Sequence, residues 1–312
     1  MGSVVDPALP VIDLSNETLN LGSPAWPSTC HQVRIALEEY GCFIAMYHQE
    51  PLEHLTFFQG LKDLFDRPIH TKSQNISILP YHGYIGMQSI LGLHESMGIE
   101  RATTLDGVQK FTNLMFPAGN DSFSQAINVY SNQMAELDRL VIKMVCESYG
   151  VESYYASHVE MTDYLLRVMK YNGLGSSEPK TGLLPHTDKS FTTILHQNQV
   201  KGLEVKTKKG DWICYNPLPC SFLILAGDAA MAWSNGRIHS PEHRVIISSD
   251  KARYSLGVFS HNKGTIDIPK ELIGVGHPPR FKSFEHHGFL HFSAKAPGQK
   301  RDSSITAYCG FP

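Results

Sequence analysis

Two histidines and an aspartate have the residue types and spacing of a metal site. His186 and Asp188 stand two residues apart, and His243 follows further along the chain. In a β-strand, residues two apart point to the same face, so His186 and Asp188 can offer an imidazole nitrogen and a carboxylate oxygen to one ion. Two histidines and one carboxylate on one face of a metal leave three positions open, which suits non-haem Fe(II) that activates dioxygen.

Arg253 and Ser255 form a second group of chemical interest, ten residues after His243. If this run is a strand, both side chains point to the same face. A guanidinium fork beside a hydroxyl is a receptor for a carboxylate. An oxo-acid cosubstrate that also chelates the metal would supply that carboxylate. The alternative is an ordinary arginine–aspartate ion pair inside the protein.

Length and charge limit the classes of protein that could carry these groups. A chain of 312 residues allows one large domain or two small ones and buries a sizeable core. Its net charge of −3 gives no basic field that would attract nucleic acid or an anionic membrane. The sequence has no run of 18 apolar residues that would span a membrane. We therefore expect a small-molecule substrate, no nucleic-acid or membrane partner, and a monomer.

Cysteine usage and the N-terminus predict a cytoplasmic protein. The six cysteines are scattered, with no Cys-x-x-Cys pair, which is typical of reduced thiols. The first residues have neither a basic segment nor a long apolar core, so they do not have the pattern of a secretory signal.

The first 160 residues are predicted to be mostly helical, with two strands among the helices. Apolar runs predict an edge strand at 10–14 and a buried strand at 42–46. Helical periodicity predicts helices over 27–40, over 51–66 and from a cap at Ser122 to about residue 148. The glycine-punctuated stretch 70–100 is predicted to be loop.

After residue 160 the pattern changes to short β-rich runs separated by glycine and proline. Eight such runs at this spacing favour a sandwich or barrel over βαβ units. The predicted strands are 163–171, 182–187, 191–197, 202–206, 211–215, 222–227, 243–248 and 253–260.

Together with the groups above, further motifs make the chain resemble the plant 2-oxoglutarate/Fe(II)-dependent dioxygenases. The shared motifs are Pro10-Val-Ile-Asp-Leu14, Tyr40-Gly-Cys-Phe43, Gly202-Leu-Glu-Val205, Gly227-Asp228, Trp233-Ser-Asn-Gly236 and His239-Ser-Pro-x-His-Arg-Val245. Three segments are similar to the AOP subgroup of that family: Glu95-Ser-Met-Gly98, Leu165-Leu-Arg-Val-Met-Lys170 and Asn198-Gln-Val-x-Gly-Leu-Glu-Val205.

The resemblance implies a mainly β fold with additional helices. Its core would be a distorted double-stranded β-helix, or jelly roll, flanked by N-terminal helices. A helical region at 1–160 would pack on a catalytic core at 161–312 that includes a C-terminal helix, and the two would form one structural unit.

The same resemblance implies the roles of the site residues. His186, Asp188 and His243 would hold Fe(II), Arg253 and Ser255 would bind the distal carboxylate of 2-oxoglutarate, and Tyr171 would lie near this cosubstrate. Dioxygen would be the oxidant, and ascorbate the reductant that maintains the iron. Many relatives carry asparagine two residues before the tyrosine, where this chain has Met169.

The activity implied is hydroxylation of a small plant specialised metabolite, steroidal glycoalkaloid or glucosinolate-like, with release of succinate and carbon dioxide. Desaturation, O- or N-dealkylation and oxidative side-chain cleavage use the same cofactors and remain alternatives. A non-catalytic jelly-roll binding protein would not need all of these residues together. A zinc hydrolase would not need the carboxylate receptor.

Residues at the mouth of the barrel are candidates for contacting the substrate. They are Tyr81, Tyr84, Ile85, Phe191, Phe259 and Phe292, and each is explained equally well as an ordinary core side chain. The adjacent His286 and His287 are not expected to form a second metal site, because neighbouring residues on a helix point in different directions.

Overall fold

Two β-sheets and a layer of helices make up the described part of the chain. The structure is a computed structural model that describes residues 8–15, 22–47, 54–86, 93–174, 178–295 and 304–311, with the side chains of 54–57 outside the description. The strands are β1 (Val11–Asp13), β2 (Cys42–Met46), β3 (Glu95–Glu100), β4 (Thr162–Tyr171), β5 (Lys180–His186), β6 (Thr192–Gln197), β7 (Leu203–Lys206), β8 (Trp212–Cys214), β9 (Ser221–Ala226), β10 (His243–Ile247), β11 (Arg253–Asn262), β12 (Thr265–Ile266) and β13 (Phe284–Glu285).

The helices surround these strands. They are α1 (Trp26–Glu39), α2 (His54–Phe65), α3 (Ile69–Lys72), α4 (Leu105–Met115), α5 (Asp121–Tyr149), α6 (Tyr155–Met161), α7 (Asp228–Trp233), α8 (His286–Lys295) and α9 (Ser304–Cys309). No helix in the described ranges is both long enough and apolar enough to cross a membrane.

The strands form a large sheet and a small one that face each other. The large sheet has seven strands in the order β1-β2-β9-β6-β11-β4-β3, and the small sheet has four in the order β5-β10-β7-β8. Neighbours in both sheets are antiparallel except β1 and β2, which are parallel. The predicted jelly-roll architecture with flanking helices is confirmed.

The large sheet is apolar on both faces, which explains how it separates two cores. On β9, Phe222 and Ile224 pack into the core shared with the helices, whereas Leu223 and Leu225 pack into the core between the sheets. This alternation follows from the two-residue period of a strand. The face directed at the small sheet is where polar side chains of the two sheets can meet.

The long helix α5 begins at a different cap from the predicted one. The Asn120 side chain accepts a hydrogen bond from the backbone N–H of Phe123 at 3.1 Å, and it is the N-cap residue. The prediction of Ser122 was wrong, because Ser122 already lies in the first turn and donates its hydroxyl to Asn120. The helix ends at Gly150, whose φ of 68° is readily adopted by glycine.

The prediction that the whole stretch 70–100 is loop was wrong. Its last residues form β3, an edge strand of the large sheet that pairs with β4. Apolar alternation is weak there because serine and glycine occupy one face, while only Met97 and Ile99 enter the helix-side core. Helix α4, capped by Thr104, was not predicted.

The remaining strand and helix predictions agree with the structure to within a few residues. The predicted edge strand is β1, the helix at 27–40 is α1, and the eight runs after residue 160 are β4–β11. The helix predicted at 51–66 is α2, and residues 51–53 lie outside the described residues. Strands β1, β2 and β3, from the first 160 residues, belong to the large sheet, and the division at residue 160 stays a prediction.

Candidate active site

The structure brings His186, Asp188 and His243 together between the sheets. His186 ends β5 and His243 begins β10, and the two are direct cross-strand partners with ring centroids 4.2 Å apart. Asp188 Oδ1 lies 3.7 Å from the Nε2 atom of each histidine. One ligand atom from each residue lies within 4.8 Å of the other two, a separation that lets a single metal ion bind all three.

Asp188 reaches this point by a route that differs from the predicted one. The expectation that His186 and Asp188 share a strand face was wrong, because β5 ends at His186. Asp188 lies in the following loop, where its carbonyl accepts a hydrogen bond from the backbone N–H of Asp228 at 2.8 Å. This bond to the first residue of α7 fixes the turn that directs the carboxylate back toward the histidines.

Backbone carbonyls orient both imidazoles for metal binding. His186 Nδ1 lies 2.8 Å from the carbonyl of Leu184, and His243 Nδ1 lies 3.3 Å from that of Pro241. An Nδ1–H that donates to a carbonyl leaves Nε2 with its lone pair directed at the ligand cluster. Burial and the neighbouring His243 lower the pKa of His186 to about 3, so its ring is neutral near pH 7, as a metal ligand must be.

Asp228 is a positioning residue that sequence reasoning did not single out beyond its place in a motif. Its buried Oδ2 accepts hydrogen bonds from Lys189 at 2.6 Å and Thr187 at 3.1 Å, and its Oδ1 accepts one from Ser240 at 2.7 Å. It therefore joins the loop around Asp188 to the segment that precedes His243. Only the folded chain brings these groups together, so no local sequence pattern indicates them.

Arg253 and Ser255 lie on β11 and face the same inter-sheet space. Arg253 is 3% exposed and donates to Ser255 Oγ at 3.1 Å and to Gln197 Oε1 at 2.6 Å. No carboxylate among the described residues forms an ion pair with it, and its buried Nε has no hydrogen-bond partner. The alternative of an internal arginine–aspartate pair is not what the described residues show. A buried guanidinium in this state fits an anionic ligand.

Tyr171 and Met169 face the same space from β4. Tyr171 is the cross-strand partner of Arg253, whose guanidinium lies 4.9 Å from the tyrosine ring centroid. A Cβ on Gly182 would lie 2.9 Å from that ring, so glycine there makes room for it. Met169, at the asparagine position of many relatives, is the partner of Ser255, and its sulfur lies 3.8 Å from the Tyr171 hydroxyl.

A cavity opens beside the three ligands, and half of the candidate substrate residues line it. Tyr81, Ile85 and Phe259 are in its wall, together with His186 and Asp188. The other three candidates are placed elsewhere: the Tyr84 hydroxyl donates to Glu95 at 2.7 Å, Phe191 packs on Trp233 and His158, and Phe292 packs on Tyr308.

Several polar residues of this cavity were not among the candidates. They are His82, His94, Arg167 and His261. On β4 the cavity-facing residues alternate with core residues. The two-residue period of a strand therefore predicts that Arg167 faces the same side as Met169 and Tyr171. His286, by contrast, has both ring nitrogens hydrogen-bonded, to the Asn262 N–H and the Lys189 carbonyl.

Comparison with known proteins decides what kind of site this is. Residues 162–262 match the family described as the 2OG-Fe(II) oxygenase superfamily. The chain is 44% identical to "Probable 2-oxoglutarate-dependent dioxygenase AOP1.2" of Arabidopsis thaliana, over 97% of this chain and 96% of that protein. The chain belongs to the 2-oxoglutarate/Fe(II)-dependent dioxygenases. Within them it is closely related to the AOP dioxygenases of Arabidopsis thaliana.

Solved structures of other dioxygenases have the same fold. A dioxygenase for auxin oxidation from rice superposes with a TM-score of 0.82 at 27% identity, covering 97% of this chain and all of that one. The 2-oxoglutarate complex of a dioxygenase for auxin oxidation from Arabidopsis thaliana gives 0.75 at 26% identity, covering 87% and 100%. As a dioxygenase, the chain is an enzyme and an oxidoreductase that uses Fe(II), bound through the His-x-Asp…His motif, and 2-oxoglutarate.

Proposed function

We propose that this dioxygenase hydroxylates a small plant specialised metabolite and releases succinate and carbon dioxide. The observation that carries the proposal is that three metal-type ligands and an unpaired buried guanidinium face one space between the sheets. In that arrangement an oxo-acid could reach the metal with one end and Arg253 with the other.

Each site residue has its own proposed task. His186, Asp188 and His243 hold Fe(II), which supplies the oxidising chemistry with dioxygen when it is bound. Arg253 and Ser255 bind the distal carboxylate of 2-oxoglutarate, and Gln197 fixes the guanidinium through the 2.6 Å hydrogen bond. The Tyr171 ring packs against the guanidinium of Arg253. Apolar residues of the cavity wall exclude water from the site.

The relationship to AOP dioxygenases directs the choice of substrate class. We propose a steroidal glycoalkaloid or a glucosinolate-like compound, contacted by Tyr81, Ile85 and Phe259. Tyr84, Phe191 and Phe292 stay predictions as contact residues. Desaturation, dealkylation or oxidative side-chain cleavage would follow from a different placement of the substrate over the same iron. Ascorbate as reductant, a monomeric state and a cytoplasmic location belong to the same proposal.

Untargeted mass spectrometry tests this function. Purified enzyme is incubated with a plant-metabolite extract, Fe(II), ascorbate and 2-oxoglutarate, and succinate is measured in the same samples. Hydroxylation predicts a new ion heavier by one oxygen, whereas desaturation predicts one lighter by two hydrogens. For either reaction, the product should disappear when iron or 2-oxoglutarate is omitted.

Two variants make the test specific. Asp188→Ala removes a proposed ligand and should abolish product and succinate. Asp211→Ala removes an exposed aspartate between β7 and β8 and should leave both unchanged. Succinate release by the Asp188→Ala enzyme equal to that of the wild type would contradict the proposed site. Absence of any wild-type product or succinate across extracts would contradict the proposed hydroxylation.

A further inference from the structure

A second buried arginine, Arg167, lies in the wall of the cavity beside the three ligands. It is 7% exposed, and it donates hydrogen bonds to the carbonyl of Tyr81 and to Ser96 Oγ. Within the described residues no carboxylate forms an ion pair with it. Lys72 and Lys189, which are also buried or nearly so, pair with Glu95 at 2.5 Å and Asp228 at 2.6 Å.

The strand register separates Arg167 from the site proposed for 2-oxoglutarate. Along β4 and β11, Tyr171 pairs with Arg253, Met169 with Ser255, and Arg167 with Gly257. Arg167 is four residues from Tyr171, or about 13 Å along the strand at roughly 3.3 Å per residue. The two arginines therefore project from different levels of the sheet, Arg253 at the pair with Tyr171 and Arg167 at the pair with Gly257. Gly257, its cross-strand partner, has no side chain that could pair with it.

Three charged side chains line the described part of the cavity wall: Arg167, Lys189 and Asp188. Asp188 is the carboxylate found among the described lining residues, and it belongs to the ligand cluster. The Lys189 ammonium is neutralised by Asp228. Burial, together with the charge of Arg167, lowers the pKa of His94 to about 4, so that ring is neutral near pH 7. The charge of Arg167 is left without a counter-ion in the described wall.

We propose that Arg167 is a substrate-recognition residue that binds an oxyanion group, a carboxylate or a sulfate, on the molecule to be oxidised. The proposal rests on the proposed function and adds the chemical class of its substrate. A planar guanidinium donates two parallel hydrogen bonds to such an anion, and a buried charge without a partner favours a ligand that supplies one. An anion held at Arg167 would orient the rest of the substrate toward the three ligands.

Matched acid and amide probes test this charge preference. Isothermal titration calorimetry is done anaerobically on Fe(II)-loaded enzyme with saturating 2-oxoglutarate, so that Arg253 is already occupied. The probes are 3-phenylpropanoate, 2-phenylethyl sulfate and the neutral 3-phenylpropanamide. We expect one of the anions to bind at least about tenfold more tightly than the amide, and the better anion identifies the group. Equal binding of all three would overturn the proposal.

Substitutions assign the preference to the residue. Arg167→Gln should reduce the ratio of anion affinity to amide affinity to within about twofold of unity. Arg167→Lys keeps the charge but not the two parallel N–H donors of the guanidinium, and it should give an intermediate ratio. Arg34→Gln is the matched control, because Arg34 donates to the Ser148 carbonyl on α5, away from the cavity. An unchanged ratio in both Arg167 variants would overturn the assignment.

A separate readout distinguishes failure of this inference from failure of the proposed function. The visible charge-transfer band of the anaerobic Fe(II)–2-oxoglutarate complex should form in the wild type and in the Arg167 variants, which also shows that they are folded. A wild type without the band would contradict the proposed function. A wild type with the band and no anion preference would contradict the role of Arg167 alone.

An Asp302→Asn variant tests for a counter-charge outside the described residues, because Asp302 is near in sequence to Ser304 of the cavity wall. If it supplied the counter-charge to Arg167, Asp302→Asn would strengthen anion binding. We expect the anion affinity of Asp302→Asn to stay within about twofold of the wild type. An increase of fivefold or more would overturn the proposal.

Discussion

Among single residues, the buried cations divide according to whether the protein supplies their anion. Lys72 and Lys189 are paired with carboxylates of the chain, so their charges serve the structure. Arg253 and Arg167 donate to neutral groups and have no carboxylate partner in the described part of the chain. Because leaving a charge buried and unpaired is costly, the two arginines are the positions where ligands are expected.

Removal of the Arg253 charge should mainly weaken the binding of 2-oxoglutarate. Arg253→Gln replaces the guanidinium that would bind the distal carboxylate, at a cost of about 2–4 kcal/mol in binding. The apparent KM for 2-oxoglutarate should rise by roughly 30- to 1000-fold. Succinate formation as a function of 2-oxoglutarate concentration measures it, and Arg34→Gln is the control. An unchanged KM would remove Arg253 from the cosubstrate site.

Sequence reasoning identified side chains that belong to short motifs and missed those whose role depends only on distant partners. His186, Asp188, Arg253 and Ser255 belong to short motifs, so their types and spacing were sufficient. Asp228 joins groups that are 12 to 41 residues away, so its role could not be recognised before folding.

At the scale of elements, antiparallel register decides which side chains meet. Pairing of β5 with β10 places the two histidines directly opposite each other, and pairing of β4 with β11 places Tyr171 opposite Arg253. The runs after residue 160 predicted these strands well because turn residues mark their ends. β3 was missed because a glycine and a serine occupy one of its faces.

The loop that carries Asp188 should depend on Asp228 for its position. Asp228→Ala removes the acceptor of Thr187 and Lys189 while leaving every proposed metal ligand intact. Loss of such a supporting group reduces metal affinity by about 10- to 100-fold in other metal sites. Anaerobic Fe(II) titration would measure this, with Asp211→Ala as control. Wild-type affinity in Asp228→Ala would show that the loop holds its shape without this carboxylate.

The cap of α5 can be tested by a pair of neighbouring substitutions. Asn120→Ala removes the acceptor of the Phe123 N–H and should lower the free energy of unfolding by about 1 kcal/mol. Ser122→Ala, at the second residue of the helix, should change this free energy by less than about 0.5 kcal/mol. Urea unfolding followed by circular dichroism compares the two. A larger effect at Ser122 would restore the cap predicted from the sequence.

Over the whole molecule, buried neutral histidines should make the metal-free protein sensitive to acid. Burial lowers the pKa values of His94 and His286 to about 4 in the folded state, against an ordinary value near 6.5. Below about pH 6.5 the unfolded chain therefore binds protons that the folded chain does not, and stability is lost as the pH falls toward 4. Burial raises the pKa of Asp138 to about 6, which opposes this effect between about pH 4 and 6.

The balance favours the histidines and gives a measurable slope. Burial also lowers the pKa values of His158 and His239 to about 4 and, with the neighbouring His243, that of His186 to about 3. The histidines therefore outnumber the one aspartate, and at least one net proton is taken up on unfolding near pH 5, worth at least about 1.4 kcal/mol per pH unit. We expect the free energy of unfolding of metal-free protein to fall by at least about 2 kcal/mol between pH 7 and pH 5 in urea titrations. Equal or greater stability at pH 5 would show that these rings are not held neutral by the fold.

The most direct test of the central claim is the anaerobic visible spectrum of the protein with Fe(II) and 2-oxoglutarate. The two histidines and Asp188 are proposed to hold the iron to which the oxo-acid chelates. A charge-transfer band should therefore appear in the wild type with one equivalent of each, and Asp188→Ala should abolish it. Arg253→Gln should give the same band at much higher 2-oxoglutarate concentrations. A band of full strength in Asp188→Ala would contradict the assignment of the metal site.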